Sequence, residues 1–203
     1  MRKINIKLAI FLSIFVLMLS GCNLLEYELG NFKEDIKGRP VVIQTFDEDS
    51  NPIDKIVGKS VSIAADGEFN LKDSEGNVIE KSSVIGFTVG GKRVTHVGSS
   101  LILYEQGLEN VIDEYIKNVD LYNSDRSTPF INRIVHDFQN LTTGKDKIIL
   151  IRSQTGKPLA TFIGNDVSYF ATDIDKSTGI LIDGKYLFIY RCDYTIYDLE
   201  LFK

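Results

Sequence analysis

Short runs of alternating apolar and polar residues fill most of this chain, and that period predicts β-strands separated by polar turns. The first runs are Val41 to Phe46, Ile53 to Val57 and Val61 to Ala64, with Asp47-Glu48-Asp49-Ser50-Asn51-Pro52 between the first two. Asp73-Ser74-Glu75-Gly76-Asn77 divides a further hairpin, and Gly90-Gly91 joins Ile85 to Val89 with Arg93 to Val97. Paired glycines between apolar runs favour the primed turns, which need positive φ. Leu101 to Tyr104 closes this first group. A second group holds Ile148 to Arg152, Leu159 to Ile163, Val167 to Phe170, Ile180 to Ile182, Tyr186 to Tyr190 and Tyr194 to Tyr197. Its turns are Gln154-Thr155-Gly156-Lys157 and Asp183-Gly184.

The period changes twice. Leu108, Val111, Ile112, Tyr115, Ile116 and Val119 recur at helical spacing. So do Phe130, Ile131, Ile134, Val135, Phe138 and Leu141, behind a Ser127-Thr128-Pro129 start signal and ahead of Gly144. Near the N-terminus, Leu25, Leu29, Phe32 and Ile36 form a shorter stripe among acidic residues. A helix lying on a membrane favours Lys and Arg on its polar face, so this acidic one is expected to dock on the domain.

The two strand groups align on one another. Residues 42–65 match 148–171 without a gap, pairing Pro52 with Pro158, Gly58 with Gly164 and Val61 with Val167. Residues 86–105 match 179–198, pairing Gly86 with Gly179, Gly91 with Gly184 and Tyr104 with Tyr197. The shift between the two alignments falls at the Asp73 hairpin, which the second group lacks. The pattern predicts a mainly β, α+β fold: two duplicated antiparallel β units in a pseudo-twofold arrangement, sandwich-like or barrel-like, around a central connecting helix. The expected divisions are a signal peptide over 1–21, a tether or short helix over 22–40, a first β unit over 41–105, a helical connection over 106–146 and a second β unit over 147–203.

Upstream, Arg2, Lys3 and Lys7 precede an apolar run from Leu8 to Leu19 broken only by Ser13, and Leu19-Ser20-Gly21-Cys22 follows. Charge, apolar length and small residues fall in the order of an export signal, and the run is short of the ~20 residues a spanning helix needs. The last four residues resemble the bacterial lipobox. That resemblance implies cleavage between Gly21 and Cys22 and a diacylglyceryl group on the Cys22 thiol, whose two acyl chains give stable anchoring.

Cleavage there removes three of the 23 basic residues and none of the 28 acidic ones. The remainder is acidic, which disfavours nucleic acid as a partner because phosphate binding wants clustered Lys and Arg. With Cys22 lipidated, Cys192 has no disulfide partner in the chain. It falls in Tyr190-Arg191-Cys192-Asp193-Tyr194, whose alternation puts Tyr186, Phe188, Tyr190, Cys192 and Tyr194 on one face and predicts a buried, inert thiol.

Several sequence features together identify a family resemblance: the lipobox, Ile151-Arg152-Ser153-Gln154-Thr155-Gly156-Lys157-Pro158, Ile182-Asp183-Gly184-Lys185, and Tyr190-Arg191 followed by Ile196-Tyr197-Asp198. The chain resembles a family of Gram-positive bacterial lipoproteins carrying a domain of unknown function. The resemblance implies a location and a fold, and no reaction. The family's usual first turn, Asp-x-x-Gly-Asn, is replaced here by Asp49-Ser50-Asn51-Pro52.

Candidate chemistry is sparse. Asp47, Asp49, Asn51 and Asp54 have the oxygen ligands of a calcium loop, but Pro52 and Gly58 stand where an EF-type loop wants glycine and glutamate. His96 and His136 have no further ligand at metal spacing. No metal, cofactor or catalytic residue is therefore expected. The expected role is that of a lipid-anchored, extracytoplasmic binding protein at the outer face of the cell membrane. Its expected partner is an envelope protein, a glycan or a small-molecule ligand. One alternative is an envelope enzyme with a His/carboxylate site between the β units. The other is a lipid-interacting β module, since duplicated units around a helix are loosely similar to tubby and scramblase-like architecture.

Overall fold

The computed structural model describes residues 36–59, 61–112, 132, 135–136 and 142–202. Cys22, Gly21, the export signal and most of both long apolar helical stripes lie outside the described residues.

The described chain is mainly β. In order the strands are β1 (Val41–Phe46), β2 (Pro52–Gly58), β3 (Ser62–Ala65), β4 (Leu71–Lys72), β5 (Val78–Glu80), β6 (Ile85–Val89), β7 (Lys92–His96) and β8 (Ser100–Glu105). After the intervening segment come β9 (Lys147–Arg152), β10 (Pro158–Gly164), β11 (Val167–Ala171), β12 (Ser177–Ile182), β13 (Lys185–Tyr190) and β14 (Asp193–Asp198). A central antiparallel sheet has the order β11-β12-β13-β8-β1-β2, and smaller sheets run β10-β9-β14, β3-β6-β7 and β4-β5.

The central sheet is covered on both faces, which explains why β1 reads Val-Val-Ile-Gln-Thr-Phe and is buried at every position. Val41, Ile43, Leu101, Leu103, Phe188 and Tyr190 share one core with Ile63, Ile85 and Phe87 of the β3-β6-β7 sheet. Val42, Ile102, Tyr104, Leu187 and Ile189 share the opposite core with Ile149, Ile151 and Phe162 of the β10-β9-β14 sheet. Three β layers result, and the sheets do not close into a barrel.

Pairing follows one order on either side of residues 106–146. β1 pairs with β2 and β8, and β9 pairs with β10 and β14. β6 pairs with β3 and β7, and β12 pairs with β11 and β13. The arrangement is nevertheless not pseudo-twofold. β13 pairs with β8, and a twofold would pair β7 with β14 in the same way. Those two strands instead form edges of sheets on opposite faces of the central layer.

The expected central helix falls mostly on residues outside those described. Among the described residues, α-helical conformation is confined to 111–112, 132, 135–136 and 142. Val111, Ile112 and Val135 pack with Ile148, Leu150 and Leu199 on the far face of β9. Strand side chains fill the space between the units, so the described helical residues cover an outer layer. Farther upstream, Ile36, the last residue of the N-terminal stripe, is fully buried in the core beside β1.

The first turn has a different frame from the one expected. Asp47 N–H donates to Asn51 O at 3.0 Å and Ser50 N–H to Asp47 O at 3.2 Å, so the turn is Asp47-Glu48-Asp49-Ser50-Asn51. The same pair of bonds closes 73–77 and 153–157. Gly76 and Gly156 hold the left-handed position at φ 88° and 83°, and Ser50 holds it at 70°. The departure from Asp-x-x-Gly-Asn is therefore one residue, Ser50 in glycine's place.

Candidate functional site

The one buried charged residue among the described residues, Asp66, is one that spacing did not single out. Asp66 directly follows β3 and caps a single 3-10 turn, Gly67–Phe69, accepting from Glu68 N–H at 3.3 Å. Its other oxygen accepts from Arg93 Nη2 on β7 at 2.5 Å. The Asp66 side chain is 3% exposed and the Arg93 side chain 54%, so a surface guanidinium covers a sunken carboxylate. The Arg93 hydrogen bond holds the Asp66 carboxyl below its ordinary value, against the effect of burial. Ala65-Asp66-Gly67-Glu68 carries a turn-cap signal that would have marked the site.

Directly after this turn the chain leaves the layered core. Asn70 Oδ1 accepts from Ser82 N–H at 2.8 Å and ties the base of the β4–β5 hairpin. Phe69, Leu71, Val78 and Ile79 are 56, 57, 49 and 65% exposed. One turn and its hairpin thus hold four large apolar residues in water.

The expected chemical residues do not converge. His96 on β7 has Nε2 2.9 Å from Ser99 O and packs edge-on against Tyr190 at 5.9 Å, beside one face of the central sheet. His136 is exposed and adjoins Val135, in the layer beyond β9 on the opposite side. The acidic turns are occupied by their own backbone. Asp47 accepts from Asn51 N–H and Nδ2 at 2.8 and 2.9 Å, and Asp73 does so from Asn77 at 2.8 and 3.0 Å. Those bonds, led by the asparagine side chain, lower both carboxyl pKa values. Among the described residues, no group of three His, Cys, Asp or Glu side chains is placed to hold a metal ion.

The aromatic face splits. Tyr186, Phe188 and Tyr190 lie in one core, whereas Cys192 and Tyr194 pack against the other. Arg191, at φ 52°, turns the chain between β13 and β14 and carries it from the central sheet to the β9 sheet. Alternation therefore stops at Tyr190. Burial raises the Cys192 thiol to about 12, with its Sγ 3.2 Å from Tyr190 O. That suits an inert thiol.

The family model of a domain of unknown function, DUF5052, matches residues 4–202. The chain belongs to that family. No curated protein and no solved structure matches the chain. Membership of DUF5052 accordingly brings no activity with it, and the surfaces described above are where its members' chemistry is to be sought.

Proposed function

We propose that this protein is a lipid-anchored, extracytoplasmic interaction protein whose contact surface includes the β4–β5 hairpin. The observation that carries the anchor is the order of features in the first 22 residues: Arg2, Lys3 and Lys7, an apolar run, then Leu19-Ser20-Gly21-Cys22. Acylated at Cys22, the chain would sit on the outer face of the cell membrane with residues 23–35 leading to Ile36, the first described residue of the core. A polypeptide partner fits the hairpin best. Phe69, Leu71 and Ile79 offer apolar side chains, and the short strands offer backbone edges.

The proposal includes descent of the layers from one duplicated β unit. The shared pairing order supports it, as do three details. Ala64 pairs with Gly86 and Phe170 with Gly179, which are matched positions. Gly58 lies against Val89 and Gly164 against Ile182. The turns 47–51 and 153–157 have the same bonds, and Thr155 Oγ1 donates to Glu48 O at 2.8 Å where they meet. The β4–β5 hairpin has no match in the second unit, which is what an acquired contact element would look like.

Intact mass of the membrane fraction, wild type beside Cys22→Ala, tests the anchor. The expected product begins at Cys22 and carries a diacylglyceryl mass, and the variant loses both. An unprocessed or wholly soluble wild-type chain would overturn the reading.

A further inference from the structure

The two halves join through a single ladder that is not symmetrical, and its asymmetry leaves a complementary pair of edges. β13 of the second half pairs with β8 of the first, matching Leu187 with Tyr104, Phe188 with Leu103, Ile189 with Ile102 and Tyr190 with Leu101. In the repeat described above, β13 corresponds to β7 and β8 to β14. β7 is an edge of the β3-β6-β7 sheet and β14 an edge of the β10-β9-β14 sheet. Among the described residues, each outer sheet therefore has three strands and ends where the central sheet continues to six. An edge strand exposes unpaired backbone donors and acceptors and is a template for another strand.

From these edges the geometry points to head-to-tail self-association, in which β7 of one copy pairs antiparallel with β14 of a second copy and repeats the β13–β8 ladder between chains. Carrying the internal register over by the repeat sets Val94 opposite Tyr197, Thr95 opposite Ile196, His96 opposite Thr195 and Val97 opposite Tyr194. Three features favour a second copy of this chain as the occupant. The first is side: Leu187 and Ile189 share a core with Tyr104 and Ile102, so Val94 falls on the same side as Tyr197 and meets it as an apolar pair. The second is charge at one end of the ladder, where Arg93, held by Asp66 in its own chain, comes opposite Asp198, held by Lys147 in its own, so that two internal ion pairs meet with unlike charges facing. One step beyond the ladder, where Tyr186 N–H donates to Glu105 Oε2 at 3.3 Å, the matched residues are Arg93 and Asp198. The third is Val97, 67% exposed just past β7, which this register would cover with Tyr194.

Such a contact is heterologous, because it joins different surfaces of the two copies, and it builds a row of molecules unless rotation closes it. It rests on the repeat proposed above. Similar losses on Gly58→Ala and Gly164→Ala with no contact between chains would leave the repeat standing and sink only the assembly.

The test is photo-cross-linking of the purified full chain carrying p-benzoylphenylalanine at position 97, mixed in light and isotopically heavy forms. The expected product joins position 97 of one form to the 193–198 segment of the other. Asp198→Lys should reduce its yield at least fivefold and, since Asp198 holds Lys147 and accepts from Glu200 N–H, lower the melting temperature as well; Lys147→Met breaks the same internal ion pair and should keep the yield. Three results would overturn the proposal: no light–heavy product, a product joining position 97 to position 97, or a product confined to single chains.

Discussion

A Cβ added to Gly58 would lie 2.1 Å from Cγ1 of Val89, and one added to Gly164 would lie 2.4 Å from Cγ2 of Ile182. In both places a β-branched residue from the end of a hairpin strand rests directly on a bare backbone as the first strand pair ends. Neither neighbour can swing away easily, because branched side chains have few χ1 choices.

Gly58→Ala and Gly164→Ala should therefore each destabilise the fold, by about 1–3 kcal/mol as overpacking does. Val89→Ala should recover part of the first loss and Ile182→Ala part of the second. Urea unfolding of the four single and two double variants gives the coupling in each cycle. Additive effects in either cycle would mean that the contact does not carry the cost.

Ser50→Gly should stabilise the protein. Ser50 holds φ 70° in a turn whose two counterparts use glycine there, and a left-handed conformation costs a residue with a Cβ roughly 1–2 kcal/mol. Glycine's greater freedom in the unfolded chain takes back about 0.5–1 kcal/mol, so the expected gain is a fraction of a kcal/mol to about 1 kcal/mol. Gly156→Ala should move the urea midpoint the other way.

This turn also illustrates what was legible in the sequence. Strand positions followed from apolar runs bounded by turns: β6 alternates, as a strand with one face on the core must, whereas β1 is buried at every position, and both have the limits those runs gave them. The first half of β12, Ser177-Thr178-Gly179, was not legible, since it carries no apolar signal. It is a strand because the Phe170 ring lies 2.3 Å from where a Gly179 Cβ would be, supplying the side chain that glycine lacks. The split of the aromatic face turned on one positive φ at Arg191, a residue type that seldom adopts it. The Asp66–Arg93 pair joins residues far apart in sequence and depends on β6 bringing β3 and β7 together, which local pattern does not reveal.

Cys192 should be unreactive in the native protein. With its thiol pushed up to about 12 by burial, almost none is thiolate at neutral pH. A thiol reagent at pH 8, with sites mapped by mass, should label Cys192 only after denaturant is added. Fast native labelling would show that the strand junction at Arg191 opens readily.

Stability should fall on acidification, with Asp66 among the causes. Its carboxyl is held below the ordinary value first by the Arg93 hydrogen bond and then by the Glu68 N–H, while burial acts the other way. Asp183, bonded by the N–H groups of Asp166 and Asn165, is shifted in the same direction, as are Asp47 and Asp73. For a group with a depressed native pKa, the unfolded chain takes up a proton first as pH drops. The contribution is therefore complete above about pH 4, where an ordinary aspartate titrates, and is lost as pH falls through the lower native value. Urea midpoints should change little between about pH 7 and pH 5 from these groups and drop between about pH 4 and pH 2.5. Asp66→Asn should flatten part of that drop while lowering stability at neutral pH, because it leaves Arg93 without its carboxylate. An Asp66→Asn profile parallel to wild type throughout would show that this carboxyl titrates alike in the folded and unfolded chains.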